Sequence, residues 1–75
     1  MAEHSLDLRG VACPMNFVKT RLFLDKMATG DLLTVLLDQG EPVESVSTSV
    51  QEEGHSVEHS QQMSEGYFRV LIKKS

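Results

Sequence analysis

The 75 residues include seven Lys and Arg against eleven Asp and Glu, a formal net charge of −4, and 5% are aromatic. So short a chain buries only about 60% of the surface it exposes when unfolded, which leaves room for one core and a single domain over residues 1–75. The acidic balance and missing tryptophan argue against direct binding of nucleic acid, no apolar run approaches the roughly 20 residues of a membrane span, and a lone cysteine without an internal partner points to a reducing cytoplasm.

In chain order, residues 1–5 are polar and expected to fray. Leu6 and Leu8 then alternate with Asp7 and Arg9 in the period of a short strand, which Gly10 ends. Val11-Ala12 leads to Cys13-Pro14. Proline suits the first position of a helix because its fixed φ is helical and its missing N–H would be unpaired there. The sequence therefore predicts Cys13 as the cap of a helix from Pro14 to about Ala28, closed by Thr29-Gly30. This helix is apolar on two sides. Phe17, Thr20, Leu24 and Met27 form one stripe and Met15, Val18 and Leu22 a nearly opposite one, with Lys19, Arg21, Asp25 and Lys26 between them. One stripe faces the sheet; the other is expected to pack on a second helix, the alternative being a docking surface for a partner protein.

Leu32 to Asp38 is a nearly continuous apolar run of strand length, suited to the middle of a sheet. Two strands joined through a helix usually lie parallel, which places Cys13 at the carboxyl edge of the pair, where open α/β sheets commonly hold their ligands. Gln39-Gly40-Glu41 is a turn, Pro42 opens a second helix ending at Gly54, and Val43, Val46 and Val50 are its buried stripe. Residues 55–63 read as a polar edge strand. A turn at Ser64-Glu65-Gly66 leads to a last strand, Tyr67 to Lys73, with Phe68, Val70 and Ile72 on one face. The order βαβαββ gives the fold class α+β, a two-layer α/β sandwich with both helices on one face of a four-stranded mixed sheet. Its expected core is Leu6, Leu8, Phe17, Leu24, Met27, Leu33, Val35, Leu37, Val46, Val50, Val70 and Ile72. The opposite sheet face, with Leu32, Leu36, Tyr67 and Leu71, is expected to be solvated or to meet a partner.

Cys13 is the candidate nucleophile. At a helix N-terminus the unpaired N–H groups and the positive end of the dipole favour a thiolate, and such settings lower a cysteine pKa from about 8.5 to roughly 3.5–7.5. The competing reading is a small buried hydrophobe. The run Leu6-Asp7-Leu8-Arg9-Gly10-Val11-Ala12-Cys13-Pro14, with Gly30-Asp31 before the apolar strand, Asp38 after it and Phe68 to Lys73 at the end, resembles the TusA/SirA-like sulfur-carrier family, whose signature is a strand, a glycine and Cys-Pro-x-Pro opening a helix. The resemblance covers the whole chain. It implies the βαβαββ sandwich and a sulfurtransferase activity that needs no cofactor. Cys13 would accept sulfane sulfur as a persulfide from a cysteine desulfurase or other donor protein. It would pass that sulfur to an acceptor protein in tRNA thiolation, cofactor biosynthesis or sulfur metabolism. Arg9, Gly10, Pro14, Met15 and Asn16 are the expected supporting residues. Asn16 stands where the signature has its second proline; it is expected to offer an N–H at the third helical position and an amide that reaches back to the cap. The alternative is a non-catalytic interaction or regulatory module of the same fold, with an inert rather than a fast-reacting Cys13.

His55 and His59 would lie about 13 Å apart along a strand, too far to share an ion, and with no zinc-type spacing a metal is not expected. Arg9, Lys19, Arg21 and Lys26 read as solvated charge or as a basic rim for an acidic partner. Asp38 belongs to the same sheet edge as Cys13 and is expected to cap or shape a turn, because a bare carboxylate beside the sulfur would oppose its ionisation.

Overall fold

The computed structural model describes residues 2–75. Six elements follow one another: β1 (Glu3–Asp7), α1 (Met15–Asp25), β2 (Leu32–Asp38), α2 (Glu41–Glu52), β3 (Ser56–Gln62) and β4 (Tyr67–Lys73). They form one four-stranded sheet in the order β1-β2-β4-β3, with β1 parallel to β2 and the other pairs antiparallel. This is the α+β arrangement expected, with the apolar β2 inside the sheet and the polar β3 at an edge.

Of the stretch expected to fray, Met1 lies outside the described residues and the remainder is ordered. β1 begins at Glu3, paired with Leu32, rather than at Leu6. Backbone ladder bonds are indifferent to polar side chains on an edge strand, and this one is pinned further by the Leu32 N–H donating to the Ala2 carbonyl at 2.9 Å. The helix α1 is shorter than predicted. Beyond Asp25 the bonds tighten, with Lys26 N–H on Phe23 O at 3.1 Å and Met27 N–H on Leu24 O at 3.0 Å, a 3₁₀-like turn that ends the helix.

Leu33, Val35 and Leu37 of β2 and Val70 and Ile72 of β4 are fully buried in one cluster with Leu24 of α1 and Val43, Val46 and Val50 of α2. Leu8, just past β1, joins it, while Leu6 and Phe17 are only partly buried against it. Leu6 sits on an edge strand with a neighbour on one side alone. Leu32, Leu36, Tyr67 and Leu71 are half-buried on the other sheet face. A register shift between Val57 and His59 bulges β3, so the even spacing expected of its residues fails, and His55 lies ahead of the strand. No described helix is long and apolar enough to cross a membrane.

Candidate functional site

Because β1 and β2 are parallel and each is followed by a helix, α1 and α2 both start at one edge of the sheet. The link leaving β1 is tied there by Asp38, whose Oδ2 accepts the Gly10 N–H at 2.8 Å. Gly10 has φ +79, a left-handed backbone other residues adopt at a cost; space is not the constraint, since a Cβ there would meet nothing within 4 Å.

Cys13 stands on this link, exposed and free. The buried-hydrophobe reading is thereby excluded. Its Sγ lies 4.0 Å from the Ser45 Oγ of α2, in a contact where either atom can donate. Nothing in the sequence marked Ser45, whose place beside the sulfur follows from how the two helices meet.

The helix start differs from expectation. Pro14 rather than Cys13 is the N-cap of α1, with φ −94 and ψ 3, and no side chain caps the helix. The Cys13–Pro14 peptide is cis. The Asn16 N–H donates to the Ala12 carbonyl at 3.2 Å and the Val18 N–H to the Pro14 carbonyl at 3.0 Å. The ladder thus begins ahead of the sulfur, and the Asn16 N–H is already used. Asn16 is fully buried. At about 100° per residue it shares a side with Thr20 and Leu24, both also buried. Its Oδ1 accepts the Phe17 N–H at 2.7 Å and its carbonyl accepts the Thr20 hydroxyl at 2.8 Å. The Oδ1 contact satisfies one of the otherwise unpaired donors of the first turn. The Nδ2 is buried without a partner, and Pro14 at the cap has no N–H for Asn16 to reach back to.

Arg9 is committed to other partners. Its Nε and Nη2 donate to the Asp7 carboxylate at 3.0 and 2.8 Å, and its guanidinium sits 4.6 Å over the Tyr67 ring. Hydrogen bonds from the Arg9 side chain and then its backbone lower the Asp7 pKa to about 2, and the same side-chain bond raises that of Arg9. Of the expected supporting residues, Gly10 and Pro14 shape the link, Met15 is exposed beside it, Asn16 belongs to the core and Arg9 is paired elsewhere.

The second stripe of α1 does not pack on α2. Met15, Val18 and Leu22 are 49%, 37% and 56% exposed. The two helices meet along another flank, where Arg21 Nε lies 3.2 Å from Glu53 Oε1.

At the opposite end of α1 the structure shows an anchor that the sequence reading missed. The nearly buried Asp31 accepts the Ala2 N–H on Oδ1 at 3.0 Å and the Ala28 N–H on Oδ2 at 3.2 Å, and Oδ2 lies 3.2 Å from His4 Nε2. These bonds, that from Ala2 foremost and then His4, hold its pKa below the ordinary carboxylate value. The available signal was an aspartate beside a turn glycine. Among the described residues, no three His, Cys, Asp or Glu side chains gather to hold a metal.

A family model described as Sulfurtransferase TusA matches residues 4–74. A protein of Archaeoglobus fulgidus named as a candidate sulfur carrier is 40% identical over 73 residues, 97% of this chain and 83% of that protein. Another so named, from Thermotoga maritima, is 30% identical over 69 residues, 92% of this chain and 87% of its own length. A crystal structure of a SirA-like protein from Desulfitobacterium hafniense has the same fold, with a TM-score of 0.83 over 93% of this chain and 95% of that one at 20% identity.

Proposed function

This chain belongs to the TusA sulfurtransferase family, and on that premise we propose that it carries sulfur between proteins as a persulfide on Cys13. The observation behind this reading is the exposure of its one cysteine at the edge where both helices begin. The Cys13 thiolate attacks the outer sulfur of a donor persulfide, R–S–SH. A new S–S bond forms on Sγ, the donor's S–S bond breaks, R–S⁻ departs, and the transferred sulfur keeps its proton. Delivery repeats the exchange: an acceptor thiolate attacks the outer sulfur and Cys13 leaves as thiolate. Neither step needs an oxidant or a reductant.

Access is a requirement of thiol exchange, and an exposed Sγ supplies it. With one cysteine in the chain, the persulfide has no internal thiol to resolve it, so its sulfur passes to another molecule. The donor is a cysteine desulfurase or similar cytoplasmic protein, and the acceptor serves tRNA thiolation, cofactor biosynthesis or sulfur metabolism. Incubation with a desulfurase and L-cysteine, read by intact mass, should add one sulfur to the wild type and none to Cys13→Ser. Repeated absence of that adduct with several donors would refute the reading.

A further inference from the structure

We infer that the groove between α2 and the edge strand β3 receives an extended segment of a partner protein, one that sets an apolar residue between lysines or arginines. Val43, Ser47 and Thr48 of α2 wall the groove, and Val57 and Ser60 of β3 with Phe68 of β4 floor it. It encloses about 520 Å³, within the range of roughly 300–1,000 Å³ usual for binding sites. Val57 and Ser60 are three residues apart, a spacing that turns side chains of a regular strand to opposite faces. The bulge between Val57 and His59 supplies the extra residue. Val57 opposite Ile72 and Ser60 opposite Val70 therefore both face the helices, as those buried partners do.

The backbone beside the groove sets the shape of the occupant. β3 ends the sheet with β4 as its one neighbour, so its outer N–H and C=O groups have no ladder partner and form a template for another strand. The strand holds no proline and no lysine to guard that edge, and beyond the bulge His59 to Gln62 pair regularly with β4. An added strand gains main-chain bonds along such an edge and lodges a side chain in the recess next to it. From Gly40 to Thr48 the helix wall is about 12 Å long, room for about four extended residues.

The charge of the occupant follows from a division within the chain. Residues 39–66 hold six of the eleven acidic residues and none of the seven Lys and Arg. Glu44 lines the groove. Glu41, about 60° from it around the helix, and Glu58, at the bulge of β3, are exposed as well. None of the three enters an ion pair among the described residues, so cations beside the apolar anchor meet free carboxylates. Nucleic acid and anionic lipid are repelled. A second copy fits poorly too, because a two-fold contact presents the same patch to itself and sets carboxylate against carboxylate. The groove is also clear of the sulfur: Ser45, whose hydroxyl lies beside Sγ, is turned about 160° around α2 from Ser47. A partner held here leaves Cys13 open.

The probe is a random heptapeptide library displayed on phage and selected on the wild type, followed by fluorescence anisotropy of the enriched peptides carrying a fluorescein label. Enriched sequences should share an apolar residue flanked by Lys or Arg, and their affinity should fall with added salt. Ser60→Arg, which fills and charges the groove, should weaken them at least about tenfold, as for loss of an interface anchor, and Glu44→Lys severalfold. Both substituted side chains are exposed, and circular dichroism checks that each variant is folded; if Ser60→Arg is not, Thr48→Arg on the facing wall replaces it. Amide hydrogen exchange in β3 should slow on binding, as a fifth strand requires, while iodoacetamide alkylates Cys13 in the complex at the free rate. A selection that enriches no sequence, or only acidic or uncharged ones, overturns the inference. Binding that the groove-filling variant leaves unchanged overturns the site, as do peptides that block alkylation. Binding unchanged in Glu44→Lys overturns the charge pairing, and β3 amides that exchange no slower in the complex overturn the added strand. Wild-type self-association that Ser60→Arg abolishes puts a second copy in the groove and overturns the choice of occupant.

Discussion

Where β2 begins, the Asp31 carboxylate gathers the Ala2 and Ala28 N–H groups and the His4 ring within 3.2 Å, whereas where β1 ends Cys13 stands exposed with the Ser45 hydroxyl 4.0 Å from its sulfur. These are the two ends of a single helix. The closed end ties the N-terminal strand, the end of α1 and the start of β2 into one unit. The open end leaves a sulfur that other molecules can reach, held in place chiefly by the Gly10–Asp38 bond and the core, with the Ser45 hydroxyl beside it. The difference shows how so small a fold can keep a thiol accessible: its position is secured from elsewhere.

The largest expected effect separates function from stability at the open end. Cys13→Ser should abolish the sulfur adduct while changing unfolding free energy by no more than about 0.5 kcal/mol, as read by intact mass and urea denaturation. A larger loss of stability would mean that the thiol is part of the packing. The converse comes from the core beneath. Leu24, 1% exposed, should cost about 2–5 kcal/mol when changed to Ala, while the folded fraction still reacts with iodoacetamide at the wild-type rate.

The closed end should announce itself in acid. Asp31 titrates below its unfolded value, so its contribution is complete above about pH 4 and is lost as pH falls through the lowered folded value. Asp7, at about 2 against 3.8, adds to the same acid loss. Asp31→Asn should therefore lower the urea midpoint at neutral pH and flatten the acid limb of stability, leaving alkylation of Cys13 unchanged. If Asp31→Asn alters that rate, the two ends are coupled and the contrast fails. The smallest effect is expected of Ser45→Ala. Loss of one neutral hydrogen bond of about 1 kcal/mol should change the alkylation rate no more than about fivefold.

Much of the fold was legible because its signals are periodic. The alternation from Tyr67 to Lys73 and the valine stripe of α2 each predicted the buried face correctly. The placement of Cys13 after the first strand, at that sheet edge, was legible, since a cysteine next to a proline after a strand is a local pattern. What failed depended on partners distant in sequence. Asp31 and Ser45 acquire their roles from Ala2 and Cys13, which no window around either residue contains. Asn16 was misplaced because it was read as a capping residue, although its spacing of four and eight residues from Thr20 and Leu24 puts it on their buried side. The exposed stripe was visible as apolar spacing, but whether a neighbouring helix covers it is decided by packing.

The most direct test of the central claim is a persulfide trap applied to the protein as it leaves its native cells, with the labelled peptide located by mass spectrometry. The account predicts a fraction of the protein carrying one extra sulfur on Cys13. Recovery of Cys13 solely as the unmodified thiol, from cells whose sulfur donor is active, would contradict it.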